Sequence, residues 1–374
     1  MRERIVSFDA LRFILALCVL FGHTYVVLFR EGPSLIGVQN IAVDGFFIIS
    51  GYLIALSLSS KMNSDEVSNI FLQTTCKRFC RLWPEFATAL IIVFLLNGLA
   101  FGHFDWFSIP FNLILITQIN KVPAIVNGSW YISVLFWGGA FVSYVLLSLK
   151  NKAVSFYLPL IIFCTFGYIY PTYTHLSLHG TNHFLFDAYS MGWIKGIMDM
   201  SIGIECYFVT QYFTHNNFMI RKRYKTFIIQ FFEIIGLFLM LYAWTYRGVD
   251  KHNFLVLFGY AILIIILALK KETFLKFLSW KIWRPLAPTA YMLYLTHCCW
   301  LDIIKRYVLY KNYHEAVVYT SVMIFCCIFA YICYHTQKWL FAKLKHILFI
   351  PQVENSSLNV ENPERELCQA SSEK

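Results

Sequence analysis

Two ionisable side chains interrupt the first apolar run of the chain, Arg12 and His23. Eleven positions at 100° each return to within about 20° of the starting direction, so on a helix both lie on one face, roughly 16 Å apart along its axis. Ionisable groups at membrane depth are costly and mark functional positions. A guanidinium near the edge and an imidazole deep inside would offer an anion contact and a titratable base on one stripe. The same pair also reads as an arginine that snorkels to the interface and a core histidine with one interhelical hydrogen bond. A second stripe, Tyr291, Tyr294 and His297, repeats every three positions and can line one helix face. Its plainer reading is a hydrogen-bonded core histidine.

Asp44 opens the second apolar run, followed by Gly45-Phe46-Phe47-Ile48-Ile49-Ser50-Gly51-Tyr52. If the first run leads outward and the second returns, Asp44 and His23 fall at similar depth. A carboxylate there would fix the imidazole tautomer and raise its basicity. Asp44 also reads as a helix cap, and Gly45, Ser50 and Gly51 as small residues for close helix packing. Arg78 and Arg81, three apart and ahead of Pro84, would share a face at a helix entrance, with Pro84 near the first turn. Arginine's planar fork suits phosphate, although arginines here would also serve topology.

The elements that must position these residues follow from composition. Of 374 residues, 58% are hydrophobic and 14% charged, with 36 Phe, 23 Tyr and 10 Trp; a soluble domain carries roughly a quarter charged residues. The chain is therefore expected to be an all-α polytopic membrane protein. A net charge of +10 would otherwise point to nucleic acid, but the basic residues cluster between apolar runs, where they set topology. Runs long enough to cross, about twenty residues, lie near 11–29, 41–59, 86–102, 129–149, 153–170, 190–213, 227–246, 254–269, 288–304 and 316–335. An eleventh, 106–119, is decided by charge. If it does not cross, so that 103–128 is an outer-face loop that dips into the interface or re-enters, 22 Lys and Arg lie on the side of the N-terminus and seven on the other. That bias predicts ten transmembrane helices with both termini cytoplasmic.

Residues 338–347 interleave Lys338, Lys343 and Lys345 with Trp339, Leu340, Phe341 and Leu344, the pattern of a helix lying on the inner surface. A membrane domain over 1–350 would then be followed by a polar, disordered cytoplasmic tail over 351–374. Most of the eleven cysteines sit within apolar runs, where a thiol is a small apolar group. No metal is expected: Cys76 and Cys80 have no second ligand pair, and His175, His179 and His183 would need a helical loop. Asp199, Glu205, Glu233 and Asp302 are span acids without a constellation.

Together these stretches resemble the integral-membrane acyltransferase-three family, whose best-known members O-acetylate bacterial surface glycans. Four stretches carry the resemblance: Phe8-Asp9-Ala10-Leu11-Arg12 with His23; Val43-Asp44-Gly45-Phe46-Phe47 through Leu53; Arg78-x-x-Arg81-x-x-Pro84; and Tyr291-x-x-Tyr294-Leu295-x-His297. It covers roughly 5–340. The resemblance implies about ten helices in the cell (inner) membrane and a multi-pass, single-module enzyme. The implied reaction is acyl transfer, with acetyl the expected group, from acyl-CoA to a sugar hydroxyl of a lipid-linked or surface glycan. It makes His23 the catalytic histidine. Arg12, Arg78 and Arg81 become acetyl-CoA contacts, while Asp44, Tyr291, Tyr294 and His297 join the catalytic set. Tyr291 or Tyr294 would serve as oxyanion donor. Two positions depart from the family: Leu135 and Gln337 stand where members often carry Glu. Without the resemblance, a secondary transporter or a lipid-linked glycan flippase fits ten helices with buried histidines and acids.

The charge bias makes a direct prediction. A reporter fused after Lys374 should be active only in the cytoplasm, and one inserted at Gly180 only on the outer side. A cytoplasmic signal at Gly180 would mean that 106–119 crosses.

Overall fold

The computed structural model describes residues 5–28, 38–102, 104–117, 124–173, 184–185, 189–215, 222–245, 253–307 and 315–356. In hydrocarbon an unpaired backbone N–H or C=O costs several kcal/mol, so apolar runs close their own hydrogen bonds as helices. The helices are α1 (Val6–Leu28), α2 (Val38–Leu58), α3 (Val67–Phe101), α4 (Ile109–Leu113), α5 (Trp130–Ser133), α6 (Gly139–Leu149), α7 (Ala153–Tyr173), α8 (Met191–His215), α9 (Lys222–Thr245), α10 (Asn253–Ala268), α11 (Trp283–Leu286), α12 (Thr289–Tyr307) and α13 (Glu315–Ser356). A π-helical stretch, Val134–Gly138, joins α5 to α6. The described strands are two residues each, Phe184–Leu185 paired antiparallel with Tyr189–Ser190. Every apolar run read from the sequence carries helix. Among the described residues, five segments are long and apolar enough to cross a membrane: Val6–Val27, Ile41–Leu58, Val67–Phe101, Trp130–Leu149 and Ala316–Lys343.

The stretch 106–119 is not a spanning helix. Among its described residues, 106–117, only α4, five residues long, forms. Phe104 and Trp106 pack on Phe94 of α3. The Trp83 indole then donates to the Leu113 carbonyl at 3.0 Å, eleven positions further down the same helix. The segment thus folds back along α3. Its polar groups find partners: Thr117 bonds Ser133 through N (2.9 Å) and Oγ1 (2.8 Å), and the Ser129 hydroxyl donates to Thr117 Oγ1 at 3.0 Å. Irregular backbone is tolerated at depth when protein surrounds it in this way.

Two helices start or end elsewhere than the apolar pattern implies. α3 begins at Val67, so Arg78 and Arg81 lie on a helix that continues through Pro84. Residues 67–83 hold no Gly or Pro, so nothing stops the helix before the apolar run. Likewise 338–347 is not a separate surface helix but part of α13, because 315–350 contains no helix breaker. Residues 332–374 form a unit of their own, in which Lys343 Nζ sits 4.2 Å over the Trp339 ring. Of the tail expected from 351, the first six residues are helical; 357–374, like His175, His179 and His183, lie outside the described residues.

Within residues 1–331, α2 is the central helix, with 83% of its apolar window buried against 33% for α3. Small residues allow this. A Cβ on Gly51 would overlap the Met200 carbonyl, and one on Gly203 the Ile48 carbonyl, so α2 and α8 touch backbone to backbone. They run parallel, since Asp44 meets Lys195 near one end and Tyr52 meets Tyr207 further along. The Lys195 Nζ–Asp44 Oδ1 distance is 2.6 Å, and Asp199, fully buried, lies within electrostatic reach of both. Glu233 is structural: it accepts the backbone N–H groups of Thr273 (2.8 Å) and Phe274 (2.9 Å) at the start of a 3₁₀ turn. Outside the apolar layer, Lys150 Nζ pairs with Asp65 at 2.8 Å, and the ammonium draws that exposed carboxyl below its ordinary value.

Breaking a buried pair is far costlier than never having built one. Lys195→Met should therefore lower stability by about 3–5 kcal/mol, seen as earlier thermal unfolding in detergent. Adding Asp44→Asn should restore part of the loss. Identical unfolding of Lys195→Met and wild type would show that the pair does not hold α2 to α8.

Candidate active site

His297 is the most constrained group of the site. It is buried on α12, and its Nδ1 lies 2.7 Å from the Tyr294 carbonyl oxygen. A carbonyl only accepts, so Nδ1 carries the proton and Nε2 is left bare. The Cys298 sulfur sits 3.2 Å from that Nε2, placed to donate its S–H. The second imidazole comes from α1: the His23 and His297 ring centroids are 5.3 Å apart. One ligand-type atom from each of His23, His297 and Cys298 falls within 4.8 Å of the others. A soft divalent ion, if one bound, would lodge there.

Aromatic side chains wall this cluster. The Tyr294 ring packs on Tyr131 (5.0 Å between centroids) and Phe46 (6.2 Å), and its hydroxyl donates to the Gly128 carbonyl at 3.1 Å. Gly128 has φ +82°, a left-handed conformation that glycine adopts freely; here it turns the re-entrant segment into α5. The Tyr291 hydroxyl is buried and has no hydrogen-bond partner among the described residues. A buried hydroxyl in that state is a donor waiting for a ligand oxygen.

The arginines gather away from the histidines, Arg12 nearer the start of α1 and Arg78 and Arg81 on α3. The Arg78 guanidinium lies against Gly139, where a Cβ would overlap it, and Arg12 and Arg78 both lie within electrostatic reach of Tyr131. Arg81 is exposed on the next turn, near Glu85. Helix α3 serves as a ruler: Arg78 and Asn97 are about 28 Å apart along it at 1.5 Å per residue. At the Asn97 end is a cavity of about 600 Å³, lined in part by Phe94, Asn97, Asp105, Asp302, Lys305 and Arg306. The Cys299 thiol, beside Cys298, reaches Asn97 Oδ1 at 3.7 Å. Arginines, histidine cluster and cavity therefore lie in that order along α3 and α12.

One expected partnership does not form. Asp44 was expected to hold His23, but its carboxylate is taken by Lys195. The reason is its face: it points into the tight α2–α8 contact, where an ammonium is at hand in a medium of low dielectric. His23 instead meets His297. The structure thus brings together His23, Tyr294 and His297, with Tyr291 on the same α12 stripe. It gathers Arg12 and Arg78, leaves Arg81 at the margin, and removes Asp44. Sequence reasoning missed Tyr131, Glu85, Cys298 and the cavity residues other than Asp302, which it named only as a span acid. Only Cys298 had a local signal, its adjacency to a span histidine. Leu135, at the position where the resembling family often has Glu, falls within the π-helical stretch, a feature frequent at functional sites.

Apolar helices packed through small residues around an interior histidine pair define a polytopic membrane protein with a buried polar site. Comparison with known proteins gives that class its family. A family model described as an acyltransferase domain matches residues 5–335, and the chain belongs to this acyltransferase-three family. A protein of Shigella phage Sf6 described as an O-acetyl transferase is 34% identical over 106 residues. That match covers 27% of this chain and 30% of the relative's own length. No solved structure matches the chain.

The Gly139–Arg78 contact is open to test. In Gly139→Val the guanidinium, a flexible side-chain end, should swing aside while the helices stay packed. If Arg78 holds donor phosphate, acyl-CoA affinity should fall about tenfold, one charge-assisted contact of roughly 1.5 kcal/mol. Unchanged affinity in a folded variant would remove Arg78 from donor binding.

Proposed function

We propose that the protein is an O-acyltransferase of the cell (inner) membrane, moving an acetyl group from acetyl-CoA to a sugar hydroxyl of a lipid-linked or surface glycan. The observation that carries this reading is the His23–His297 pair, set between an arginine cluster and a cavity lined by apolar and charged side chains. Arg12 and Arg78, helped by Arg81, would bind the phosphates of CoA in forked contacts. His23 would take the proton of the acceptor hydroxyl as its oxygen attacks the acyl carbon, a contribution of typically ~10²–10⁴ in rate. The unpartnered Tyr291 hydroxyl is suited to the oxyanion that forms. In the cavity, Asn97, Asp105 and Asp302 offer acceptors for sugar hydroxyls. The ten-helix threading with cytoplasmic termini puts the arginines toward cytosolic acetyl-CoA and the cavity outward. Parallel pairing of α2 with α8, both outward-to-inward in that threading, is consistent with it. Family membership favours transfer over the transporter or flippase reading.

Mass spectrometry of the glycan tests the reading. Cells carrying the gene should add the mass of one acetyl group per modified sugar, and cells without it should not. His23→Gln keeps hydrogen-bonding reach but cannot take up a proton at neutral pH, so its acetylation should fall by at least ~100-fold. A satisfied core histidine predicts near wild-type activity from the same variant, an outcome that would sink the mechanism.

A further inference from the structure

Resting on the acyl-transfer reading, we infer that Cys298 is an acyl-carrying nucleophile, and that the acyl group passes through a Cys298 thioester on its way to the acceptor. The argument starts from hydrogen-bond direction. Because the Tyr294 carbonyl takes the Nδ1 proton of His297, the bare Nε2 faces the Cys298 thiol at 3.2 Å. Nucleophile, base and a third group that fixes the base are the three parts of an activated thiol. Here they are a cysteine, a histidine and a backbone carbonyl, contributed within five residues of one helix. Neighbouring cysteines lack this arrangement: Cys299 donates to the Asn97 side chain and Cys206 to the Ala261 carbonyl, neither of which is a base. All described cysteines are free.

A relay also gives each histidine one task. In the first half-reaction, His297 Nε2 takes the thiol proton and the Cys298 sulfur attacks the acyl carbon of the CoA thioester. The carbon–sulfur bond to CoA breaks, and the departing CoA thiolate takes the proton from His297. One thioester replaces another, so the acyl group keeps its activation. In the second half-reaction His23, whose ring nitrogen lies within 4.8 Å of both partners, takes the proton of the acceptor hydroxyl. The alkoxide oxygen bonds to the acyl carbon, the bond to Cys298 breaks, and the proton returns to the cysteine sulfur. Products are the O-acyl sugar and the free thiol. No oxidant, metal or further reactant is needed. The position fits as well, since Cys298 stands between the arginine end and the cavity whose wall its neighbour Cys299 touches.

The experiment uses the full chain in detergent or lipid nanodiscs with radiolabelled acetyl-CoA. Without acceptor, the wild type should release CoA in a burst equal to the enzyme present. The label should stay on the peptide containing Cys298 and come off with neutral hydroxylamine. Cys298→Ala should lose the label and at least ~100-fold of turnover, a nucleophile-level loss, whereas Cys76→Ala, on an exposed turn, should match wild type. His23→Gln should still load Cys298 but fail to discharge to acceptor, an outcome that a purely packing role for Cys298 does not produce. Cys298→Ser guards against a folding defect: it is near in size, and it should fold yet form no hydroxylamine-labile label. Wild-type turnover in Cys298→Ala, or an active wild type whose label resides on His23, would overturn the relay while leaving acetyl transfer intact. No CoA release even with acceptor present would instead overturn the acyl-transfer reading and the relay with it.

Discussion

His297, buried among the helices, is held by a hydrogen bond to its own helix. The His297 contact to the Tyr294 carbonyl fixes which nitrogen carries the proton, and most of the site follows from that one choice. It leaves Nε2 as an acceptor, directs the Cys298 thiol to it, and sets the ring face that His23 approaches. The backbone around it is arranged to keep this possible. Tyr294, whose carbonyl accepts from His297, is itself anchored through its hydroxyl to Gly128, just ahead of α5.

The rest of the architecture is a way of holding that site between two dissimilar ends. Backbone contact through Gly51 and Gly203, with the Asp44–Lys195 pair, clamps α2 to α8. α1, α3 and α12 are then left to carry the functional groups along a common direction. The separation between Arg78 and Asn97, about 28 Å on a helical rise, approaches the ~30 Å thickness of the hydrocarbon core. On the proposed reading, a site of that length would let the phosphates of the donor and the sugar acceptor approach from opposite ends. The chain after α3 completes that end: Phe104 and Trp106 pack on α3, and Asp105 and Ile125 help line the cavity.

Much of this was legible in the sequence, for reasons that also explain what was not. Helix positions follow from apolar runs because hydrocarbon leaves the backbone no alternative, and counting charges argued against a crossing helix at 106–119, whose described residues hold only the short α4. The Arg12–His23 stripe and the Tyr291–Tyr294–His297 stripe were visible as spacings within single helices. Their meeting was not, because the distance between α1 and α12 is a tertiary fact that no local spacing encodes. The same limit explains Asp44. Depth along its helix suggested His23, but rotation about the helix axis gave it to Lys195. Helix ends were misjudged where the apolar pattern stopped before a helix breaker arrived, as at 67–83 in α3 and 338–350 in α13. The arginines were therefore found on a helix flank and not at its mouth. Cys298 went unnoticed because a cysteine in an apolar run ordinarily packs like a small hydrophobe; only the tautomer of its neighbour distinguishes it.

The central claim is that the donor lies along the line from the arginines to the histidine pair, with its acyl end delivered to His23 and His297. Determining the structure of the full chain in nanodiscs by electron cryomicroscopy, bound to a non-hydrolysable acetyl-CoA thioether, tests this most directly. The account predicts the coenzyme phosphates against Arg12 and Arg78, and the acetyl carbon within contact distance of the His23–His297–Cys298 cluster. Coenzyme bound away from these arginines, or an acetyl group held far from both imidazoles, would contradict it.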